Sequence, residues 1–340
     1  MIIRSRAPLR LGLAGGGTDV SPYSDDFGGA ILNASISIYA YCSITPTDNG
    51  KITIHARDRM EQYEYPSDYT LPLDGKLHLI KGVYNRIVKD FTKKPLSFHI
   101  DTFVDAPPGS GLGSSSTLVV AIVGAFVEWM KLPLGEYDIA RLAYSIERED
   151  LNEQGGKQDQ YAATFGGVNF MEFYKEGKVI VNPLRIKDVF LYELEHNLIL
   201  FNTETSRHSS VIIKEQSQNV TDKNVKAIEA MHQLKQQAIQ MKEAFLCGEV
   251  HRIGEILHFG WEQKKQMASG ITNPMLDNIY NTALAAGATG GKVSGAGGGG
   301  FMTFYAPGGK KYDVINALSN MGGKVLKYNF VDKGLTTWTI

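Results

Sequence analysis

Glycine and serine are concentrated between Pro107 and Thr117, in the order Pro-Pro-Gly-Ser-Gly-Leu-Gly-Ser-Ser-Ser-Thr. Glycines at alternate positions allow backbone N–H groups to turn toward one point. The apolar run 118–130 that follows predicts a helix, whose N-terminus adds free donors and a positive dipole end. A tight turn with a serine helix cap is the alternative, but this density of glycine and serine favours a cradle for phosphate groups. The residues assigned to the cradle are Pro108, Gly109, Ser110, Gly111, Leu112, Gly113, Ser114, Ser115 and Ser116.

Two common phosphate loops do not fit this segment. A P-loop requires a lysine that is absent here, and a dinucleotide fingerprint requires a third glycine where Ser114 stands. The stretch 295–300, Gly-Ala-Gly-Gly-Gly-Gly, does match that fingerprint, but a predicted strand at 301–305 follows where a helix would begin. NAD binding is therefore disfavoured. Four consecutive glycines instead predict a close approach of this backbone to a ligand or to another loop.

A third glycine cluster, Gly-Gly-Gly-Thr-Asp at 15–19, lies just after Arg10. Arg10 stands in an otherwise apolar predicted strand, where a guanidinium requires an anionic partner. Three glycines leave space for a ligand, and the hydroxyl and carboxylate that follow could form hydrogen bonds with a polyhydroxy compound. A flexible turn in which Asp19 caps the following residues explains the cluster equally well.

Composition restricts the class of protein. The 340 residues suffice for one large domain or two subdomains, and a net charge of −1 disfavours nucleic acid as a partner. Two cysteines without metal-like spacing favour a reducing compartment. The first residues contain no apolar signal-peptide core, and the apolar run 118–127 is too short for a bilayer and is followed by Glu128. We expect a cytoplasmic protein without a membrane partner; a homodimer is possible.

Hydrophobic periodicity predicts an α+β fold, because strands and helices do not alternate regularly. Tyrosines and apolar residues between 63 and 84 could form an adenine pocket or simply pack in the core. The predicted strands lie at 31–45, 51–57, 96–104, 198–201, 291–294, 301–305, 324–330 and 335–340. The predicted helices lie at 78–91, 118–130, 134–151, 222–246, 250–268, 274–286 and 311–320, with a loop at 155–160.

The three glycine clusters, in this order, resemble the three signature motifs of the GHMP superfamily of kinases, which includes galactokinase and mevalonate kinase. The matching segments are Arg6–Asp19, Pro107–Thr117 and Val293–Met302. The resemblance implies the GHMP kinase fold, in which ATP and substrate bind between two parts. Residues 1–190 would form an N-terminal, ATP-binding part like domain 2 of ribosomal protein S5, and residues 191–340 a ferredoxin-like C-terminal part.

Within the superfamily, Gly-Gly-Gly-Thr-Asp and the sequence Gly-Gly-Lys-Gln-Asp-Gln at 155–160 resemble the heptose-phosphate kinase branch, with fucose kinase domains as near relatives. This resemblance implies an ATP-dependent enzyme that phosphorylates the anomeric C1 hydroxyl of a heptose 7-phosphate. Three alternatives stay open. They are a kinase for an unphosphorylated sugar such as fucose or galactose, a decarboxylase of the same superfamily, and a non-catalytic sensor of sugar and ATP.

The resemblance also implies roles for single residues. Asp159 matches the catalytic aspartate that accepts the proton of the attacking hydroxyl or orients that hydroxyl, and Arg10 matches its arginine partner. Ser115 and Glu147 match the magnesium ligands of the superfamily, with Ser114 as the neighbouring alternative to Ser115.

Sugar contacts are expected from the first and third glycine clusters, at Gly16, Gly17, Thr18, Asp19, Gly297 and Gly298. An acceptor that already carries a phosphate needs a second anion site. Arg207, among hydroxyl residues before a predicted helix, and Lys157 are the candidates. A surface ion pair for Arg207 and a solvated charge for Lys157 are equally good interpretations.

Overall fold

The computed structural model describes residues 1–205 and 209–340. The first half contains β1 (Ile3–Ala14), α1 (Tyr23–Phe27), β2 (Gly29–Pro46), β3 (Lys51–Ala56), β4 (Glu61–Pro66), α2 (His78–Ile87), β5 (Phe98–Val104), α3 (Ser114–Met130), α4 (Glu136–Ser145), α5 (Gln158–Phe165), β6 (Val168–Phe173) and β7 (Val179–Pro183). π-helical turns continue α2 over Val88–Thr92 and α4 over Ile146–Asp150. Short 3-10 turns lie at Arg57–Arg59 and Lys175–Gly177.

The second half contains α6 (Asp188–Asn197), β8 (Leu198–Asn202), α7 (Ser209–Thr221), α8 (Val225–Cys247), α9 (Ile253–Lys264), α10 (Pro274–Ala285), β9 (Gly290–Val293), β10 (Phe301–Tyr305), α11 (Lys311–Ser319), β11 (Lys324–Leu326) and β12 (Thr336–Thr339). A 3-10 turn at Val250–Arg252 precedes α9. Local sequence sets several helix ends. The Asn224 side chain accepts a hydrogen bond from the Ala227 N–H at 3.2 Å and caps α8, which ends at Gly248 in the left-handed region.

Two sheets organise the described residues. The larger has eight strands, in the order β12-β1-β2-β5-β3-β4, and β6 and β7 extend it from the first part of β2. Its strand pairs are antiparallel except for β3 and β5, which are parallel. The smaller sheet is antiparallel, in the order β11-β8-β10-β9. Because β12 pairs with β1, the end of the described chain returns to the sheet that the start of the chain forms.

The main core lies between the larger sheet and the helices packed on one of its faces. Helix α3 is buried along most of its length, and Val120, Ile122 and Phe126 are completely inaccessible. Burial of each such side chain stabilises the fold by about 1.5–3 kcal/mol. Among the described residues, no helix is both long enough and apolar enough to cross a membrane. A second core joins the smaller sheet to α8, α9 and α10.

The α+β class predicted from the sequence is confirmed, with some differences in the elements. Helix α3 begins at Ser114, four residues earlier than the predicted helix, so three serines form its first turn. Helix α5 begins at Gln158 inside the predicted loop at 155–160. The predicted strand 324–330 ends at Leu326, and strand β4 lies in a segment that the periodicity did not assign. The division into 1–190 and 191–340 stays a prediction.

Candidate active site

The second glycine cluster forms a loop that leads directly into α3. Gly109, Gly111 and Gly113 all have φ between +74° and +80°, a conformation that disfavours other residues. Ser114, Ser115 and Ser116 form the first turn of α3, where main-chain N–H groups have no intrahelical acceptor. The segment therefore presents free donors at the positive end of a helix, as a phosphate cradle requires.

The third glycine cluster packs against this loop. A Cβ at Gly111 would lie 2.5 Å from the Ser294 carbonyl oxygen, and a Cβ at Gly295 would lie 2.7 Å from the Gly111 Cα. The Phe301 N–H donates to the Ser110 carbonyl at 3.1 Å. A Cβ at Gly300, within the run of four glycines, would lie 2.6 Å from the Ser110 carbonyl oxygen, so this run approaches another loop, one of the two alternatives predicted for it.

A cleft of about 410 Å³ opens where the three glycine clusters meet. Most of the sequence-predicted site residues line it. They are Arg10, Gly16, Gly17, Asp19, Gly109, Gly111, Gly113, Ser114, Ser115, Ser116, Glu147, Asp159 and Gly297.

Arg10 and Asp159 form an ion pair at the junction of β1, the predicted phosphate loop (residues 107–113) and α5. The Asp159 Oδ1 atom accepts from Arg10 Nε at 2.7 Å and lies 2.6 Å from Arg10 Nη2. The third guanidinium nitrogen, Nη1, donates to the Gly111 carbonyl at 2.7 Å. Arg10 is buried, whereas the Asp159 side chain keeps about 20% of its surface exposed toward the cleft. The carboxylate is therefore held rigidly and stays accessible to a ligand.

Asp19 is a second carboxylate in the same cleft. It is 2% exposed, and its Oδ2 atom accepts from the Gln158 N–H at 3.0 Å, at the start of α5. Burial raises the pKa of Asp19, and the charge of Asp159 adds to this effect, whereas the Gln158 N–H and the Arg10 guanidinium lower it. The net shift is upward. A hydroxyl donor placed here would find a fixed, buried acceptor.

Glu147 faces the phosphate loop from the π-helical turn after α4. Its Oε2 atom accepts from Gln160 Nε2 at 2.7 Å, and its Oε1 atom lies 3.2 Å from Arg148 Nη1. Gln160 and Arg148 also reach the Ser116 hydroxyl, at 3.2 Å and 3.3 Å. A buried carboxylate and serine hydroxyls thus line one side of the cleft, and these oxygen atoms are the ligand type that Mg²⁺ prefers.

The structure does not bring the Thr18 side chain into the cleft. Thr18 is fully buried, and its hydroxyl lies within hydrogen-bond distance of two carbonyl oxygens that can accept its single proton, those of Gly15 (2.8 Å) and Ala30 (3.0 Å). It also accepts from the Ala30 N–H at 3.1 Å. With these three contacts the hydroxyl ties the first glycine cluster to β2, which is a structural role and gives no support to a sugar contact.

Lys157 also points away from the cleft. Its ammonium pairs with Asp25 Oδ1 at 2.8 Å and donates to the Ser24 hydroxyl at 3.1 Å. Lys157 is therefore a buried structural cation in this structure, because its charge already has a partner. Arg207, the other predicted phosphate ligand, lies outside the described residues.

Four other predicted residues support the cleft without lining it. Leu112 is buried, and its carbonyl accepts from the Arg10 N–H at 3.3 Å. The Ser110 hydroxyl accepts from the Leu112 N–H at 3.3 Å, and Gly298 donates its N–H to the Ile271 carbonyl at 2.8 Å. Pro108 is exposed at the start of the loop.

Two buried lysines also line the cleft and were not predicted from the sequence, Lys264 at the end of α9 and Lys292 in β9. Lys264 Nζ donates to the Gly295 carbonyl at 2.5 Å, and Lys292 Nζ donates to the Gly12 carbonyl at 2.7 Å. Burial lowers the pKa of Lys264 to about 8, opposed by the charge of Asp19. Burial also lowers the pKa of Lys292 well below its usual value, and the charges of Lys264 and Arg10 lower it further.

Comparison with known proteins identifies the family. Residues 78–167 match the model of the GHMP kinases N terminal domain, and residues 241–324 match that of the GHMP kinases C terminal domain. The chain is 50% identical over 338 residues to a D-glycero-alpha-D-manno-heptose 7-phosphate kinase of Campylobacter jejuni, with 99% of each chain covered. The chain belongs to the GHMP kinases.

Solved structures agree with this membership. The GHMP kinase described here superimposes on a D-glycero-D-manno-heptose 1-phosphate kinase from Bacteroides thetaiotaomicron with a TM-score of 0.85 and 49% identity, over 99% of both chains. It also shares its fold with the galactose-bound galactokinase of Lactococcus lactis, with a TM-score of 0.80, 17% identity, and 98% and 95% of the two chains covered. The predicted GHMP fold and the prediction of an ATP-dependent kinase are both confirmed.

Proposed function

We propose that this GHMP kinase transfers the γ-phosphoryl group of ATP to the anomeric C1 hydroxyl of D-glycero-D-manno-heptose 7-phosphate. The observation that carries the proposal is the Arg10–Asp159 pair, held against the phosphate loop in a cleft that also contains Asp19. The names of the two relatives with about 50% identity support a phosphorylated heptose as the acceptor. We further propose that residues 1–190 form the ATP-binding part and 191–340 the second part of the enzyme.

Asp159 would accept the proton of the C1 hydroxyl as its oxygen attacks the γ-phosphorus, or would orient that hydroxyl for attack. Arg10 fixes the carboxylate through two nitrogens and places a positive charge directly beside it. The same guanidinium donates to the Gly111 carbonyl, so Asp159 is held at a fixed position relative to the phosphate loop. Because these groups are already held in place, less entropy has to be lost to reach the reactive geometry.

The phosphate loop would hold the ATP phosphates by main-chain N–H groups at the start of α3. The residues also fit a Mg²⁺ ion, because Ser115 and Glu147 line the same cleft with oxygen donors. When bound, the ion would neutralise charge on the phosphates. Asp19, with Gly16 and Gly17 leaving space beside it, would accept hydrogen bonds from sugar hydroxyls.

The acceptor is tested by ³¹P NMR of the purified enzyme with Mg·ATP and one sugar in each tube. The sugars are D-glycero-D-manno-heptose 7-phosphate, the corresponding 1-phosphate, free heptose, fucose and galactose. We expect ADP and a new anomeric phosphate signal beside the retained 7-phosphate in the first tube only. Turnover of the 1-phosphate would mean that the enzyme phosphorylates the C7 position instead of C1. Turnover of a free sugar would mean that the acceptor does not carry a phosphate.

A non-catalytic sensor of the same fold, the alternative that the sequence left open, is disfavoured by the kinase relatives. It is tested by a single-turnover reaction with enzyme in excess over ATP, so that even a slow transfer is visible. Formation of one equivalent of sugar bisphosphate would rule out the sensor. ATP binding without any transfer, in the presence of each sugar, would overturn the kinase proposal for this chain.

A further inference from the structure

Lys264 and Lys292 are buried lysines whose hydrogen-bond acceptors, within residues 1–205 and 209–340, are neutral. Their side chains are 3% and 7% exposed, and each ammonium donates to a main-chain carbonyl rather than to a carboxylate. Burial of an ammonium without a counter-charge is unfavourable, so two such groups in one cleft require an explanation. A ligand that brings negative charge would supply one.

Charges in the surrounding cluster support this interpretation. Three basic side chains, Arg10, Lys264 and Lys292, lie beside two acidic ones, Asp19 and Asp159, and Asp159 is already paired with Arg10. Asp19 is the carboxylate that acts on Lys264, and its pKa is itself raised by burial. The cluster therefore has more basic than acidic groups, and an anionic ligand would stabilise the charged form of both lysines.

Both ammonium groups converge on Gly16, in the first glycine cluster. A Cβ at Gly16 would lie 3.5 Å from Lys264 Nζ and 3.7 Å from Lys292 Nζ. The two nitrogens consequently lie within about 7 Å of each other, a separation that one phosphate group with its oxygens can bridge. The absence of a side chain at Gly16 leaves that space open to the cleft.

Two glutamine side chains next to this space offer contacts to sugar hydroxyls. Among the described residues, Gln158 Oε1 and Gln216 Nε2 are buried atoms without a hydrogen-bond partner, and both residues line the cleft. A Cβ at Gly12 would lie 3.6 Å from Gln158 Oε1, and a Cβ at Gly17 would lie 3.5 Å from Gln216 Oε1. Buried amide atoms normally have a hydrogen-bond partner, so these two atoms indicate that a polar ligand binds next to them.

We propose that Lys264 and Lys292 bind the phosphate group that the sugar acceptor already carries, and so select a sugar phosphate over a free sugar. This inference rests on the proposed function, since it requires a phosphorylated acceptor. The ATP phosphates are the other source of the same chemistry. The phosphate loop and the start of α3 already serve them, whereas the lysines converge on the glycine cluster beside Asp19.

The test measures acceptor binding by isothermal titration calorimetry without ATP, so that it is independent of turnover. The probes are heptose 7-phosphate and free heptose, and the variants are Lys264→Met and Lys292→Met. We expect each variant to lose about 10- to 100-fold in affinity for the 7-phosphate, the value of a charge-assisted contact, and little for free heptose. The thermal shift that inorganic phosphate produces in the wild type should also decrease.

Lys265→Met is the matched control, because Lys265 is the adjacent lysine and pairs with Glu262 at the surface at 2.6 Å. Unchanged Mg·ATP affinity would show that each variant is folded. If a methionine variant does not fold, Lys264→Gln and Lys292→Gln replace it. Equal loss for both sugars, or no loss, would overturn the proposal, and a selective loss of ATP affinity would assign the lysines to ATP. Failure of the wild type to phosphorylate any sugar phosphate would instead overturn the proposed function.

Discussion

Gly156 packs directly against the Asp19 carboxyl group, which leaves no room for a side chain at position 156. A Cβ at position 156 would lie 1.9 Å from Asp19 Oδ2, and the whole carboxyl group lies within 2.8 Å of that point. Gly156 is not in the left-handed region, so the conflict is purely one of volume. The loop before α5 thus closes over Asp19 and delivers the Gln158 N–H to its carboxylate. The position of the Asp19 carboxylate, the proposed ligand of the sugar, therefore depends on a residue that itself has no side chain.

We predict that Gly156→Ala displaces Asp19 and impairs use of the acceptor much more than binding of ATP. A displacement of about 1 Å in a reacting complex lowers the rate roughly 100-fold, so kcat/KM for the sugar should fall by about that factor. Overpacking should also lower the free energy of unfolding by about 1–3 kcal/mol. Steady-state kinetics with each substrate varied in turn, together with urea unfolding, measures both effects.

Gly135→Ala is the control for this substitution, because its Cβ would lie at an ordinary 3.6 Å from Asp138 Oδ2. It should leave both Michaelis constants unchanged and lower stability by less than about 1 kcal/mol, as expected at a helix N-cap. An equal rise in the KM of ATP and of the sugar in Gly156→Ala would contradict a specific effect on Asp19.

Asp159→Asn should lower kcat by about 100- to 10,000-fold, because an amide cannot accept the hydroxyl proton. Arg10→Lys keeps the positive charge but loses the guanidinium contacts to Asp159 and Gly111, so we expect a smaller decrease of about 10- to 100-fold. Measured kcat values at saturating substrates compare the two. The opposite order would mean that charge neutralisation by Arg10 contributes more than proton acceptance by Asp159.

Local sequence was sufficient to predict a glycine-rich loop that leads into a helix, because the glycine spacing and the helix are continuous in the chain. The resemblance to a family supplied the assignment of Arg10 and Asp159, which lie 149 positions apart and form an ion pair in the structure. Helix α5 was missed because Gly155 and Gly156 precede it and suggest a loop. Asp159 therefore lies in the first turn of a helix, which fixes its direction.

Long-range packing determined what the sequence did not indicate. Nothing in the sequence around Lys264 and Lys292 distinguishes them from surface lysines. They are buried because α9 and β9 pack against the first glycine cluster. Thr18 was predicted to contact sugar hydroxyls and Lys157 to bind the phosphate of the acceptor, because the sequence does not reveal their structural partners. Those partners, Ala30 and Asp25, come from other segments of the chain.

Glu147→Gln should raise the Mg²⁺ concentration for half-maximal activity by about 10- to 100-fold, because the variant keeps the shape but loses the charge of an oxygen ligand. The measurement is a Mg²⁺ titration at a fixed, saturating concentration of ATP. Glu149→Gln is the control, since Glu149 is exposed on the same turn and accepts from the Ser145 hydroxyl at 2.6 Å. A parallel change in both variants would remove Glu147 from the metal site.

The lowered pKa of Lys264 has a consequence for stability. Burial shifts it from 10.5 to about 8 in the folded protein, whereas the unfolded chain restores the usual value. Between these two values the unfolded state binds more protons, so the free energy of unfolding rises with pH over this range. The full contribution is about 3 kcal/mol, at about 1.36 kcal/mol for each pKa unit.

We therefore predict that the wild type gains stability relative to Lys264→Met as the pH rises from 7 to 10, by up to about 3 kcal/mol. The charge of Lys264 also lowers the pKa of Lys292. Removing Lys264 therefore relieves this repulsion and stabilises the variant at pH 7, which adds to the expected gain of the wild type relative to the variant as the pH rises. Urea unfolding without ligand at pH 7, 8, 9 and 10 measures the difference, and Lys265→Met should show no such trend. A difference between wild type and Lys264→Met that is independent of pH would show that Lys264 titrates as an ordinary lysine in the folded protein.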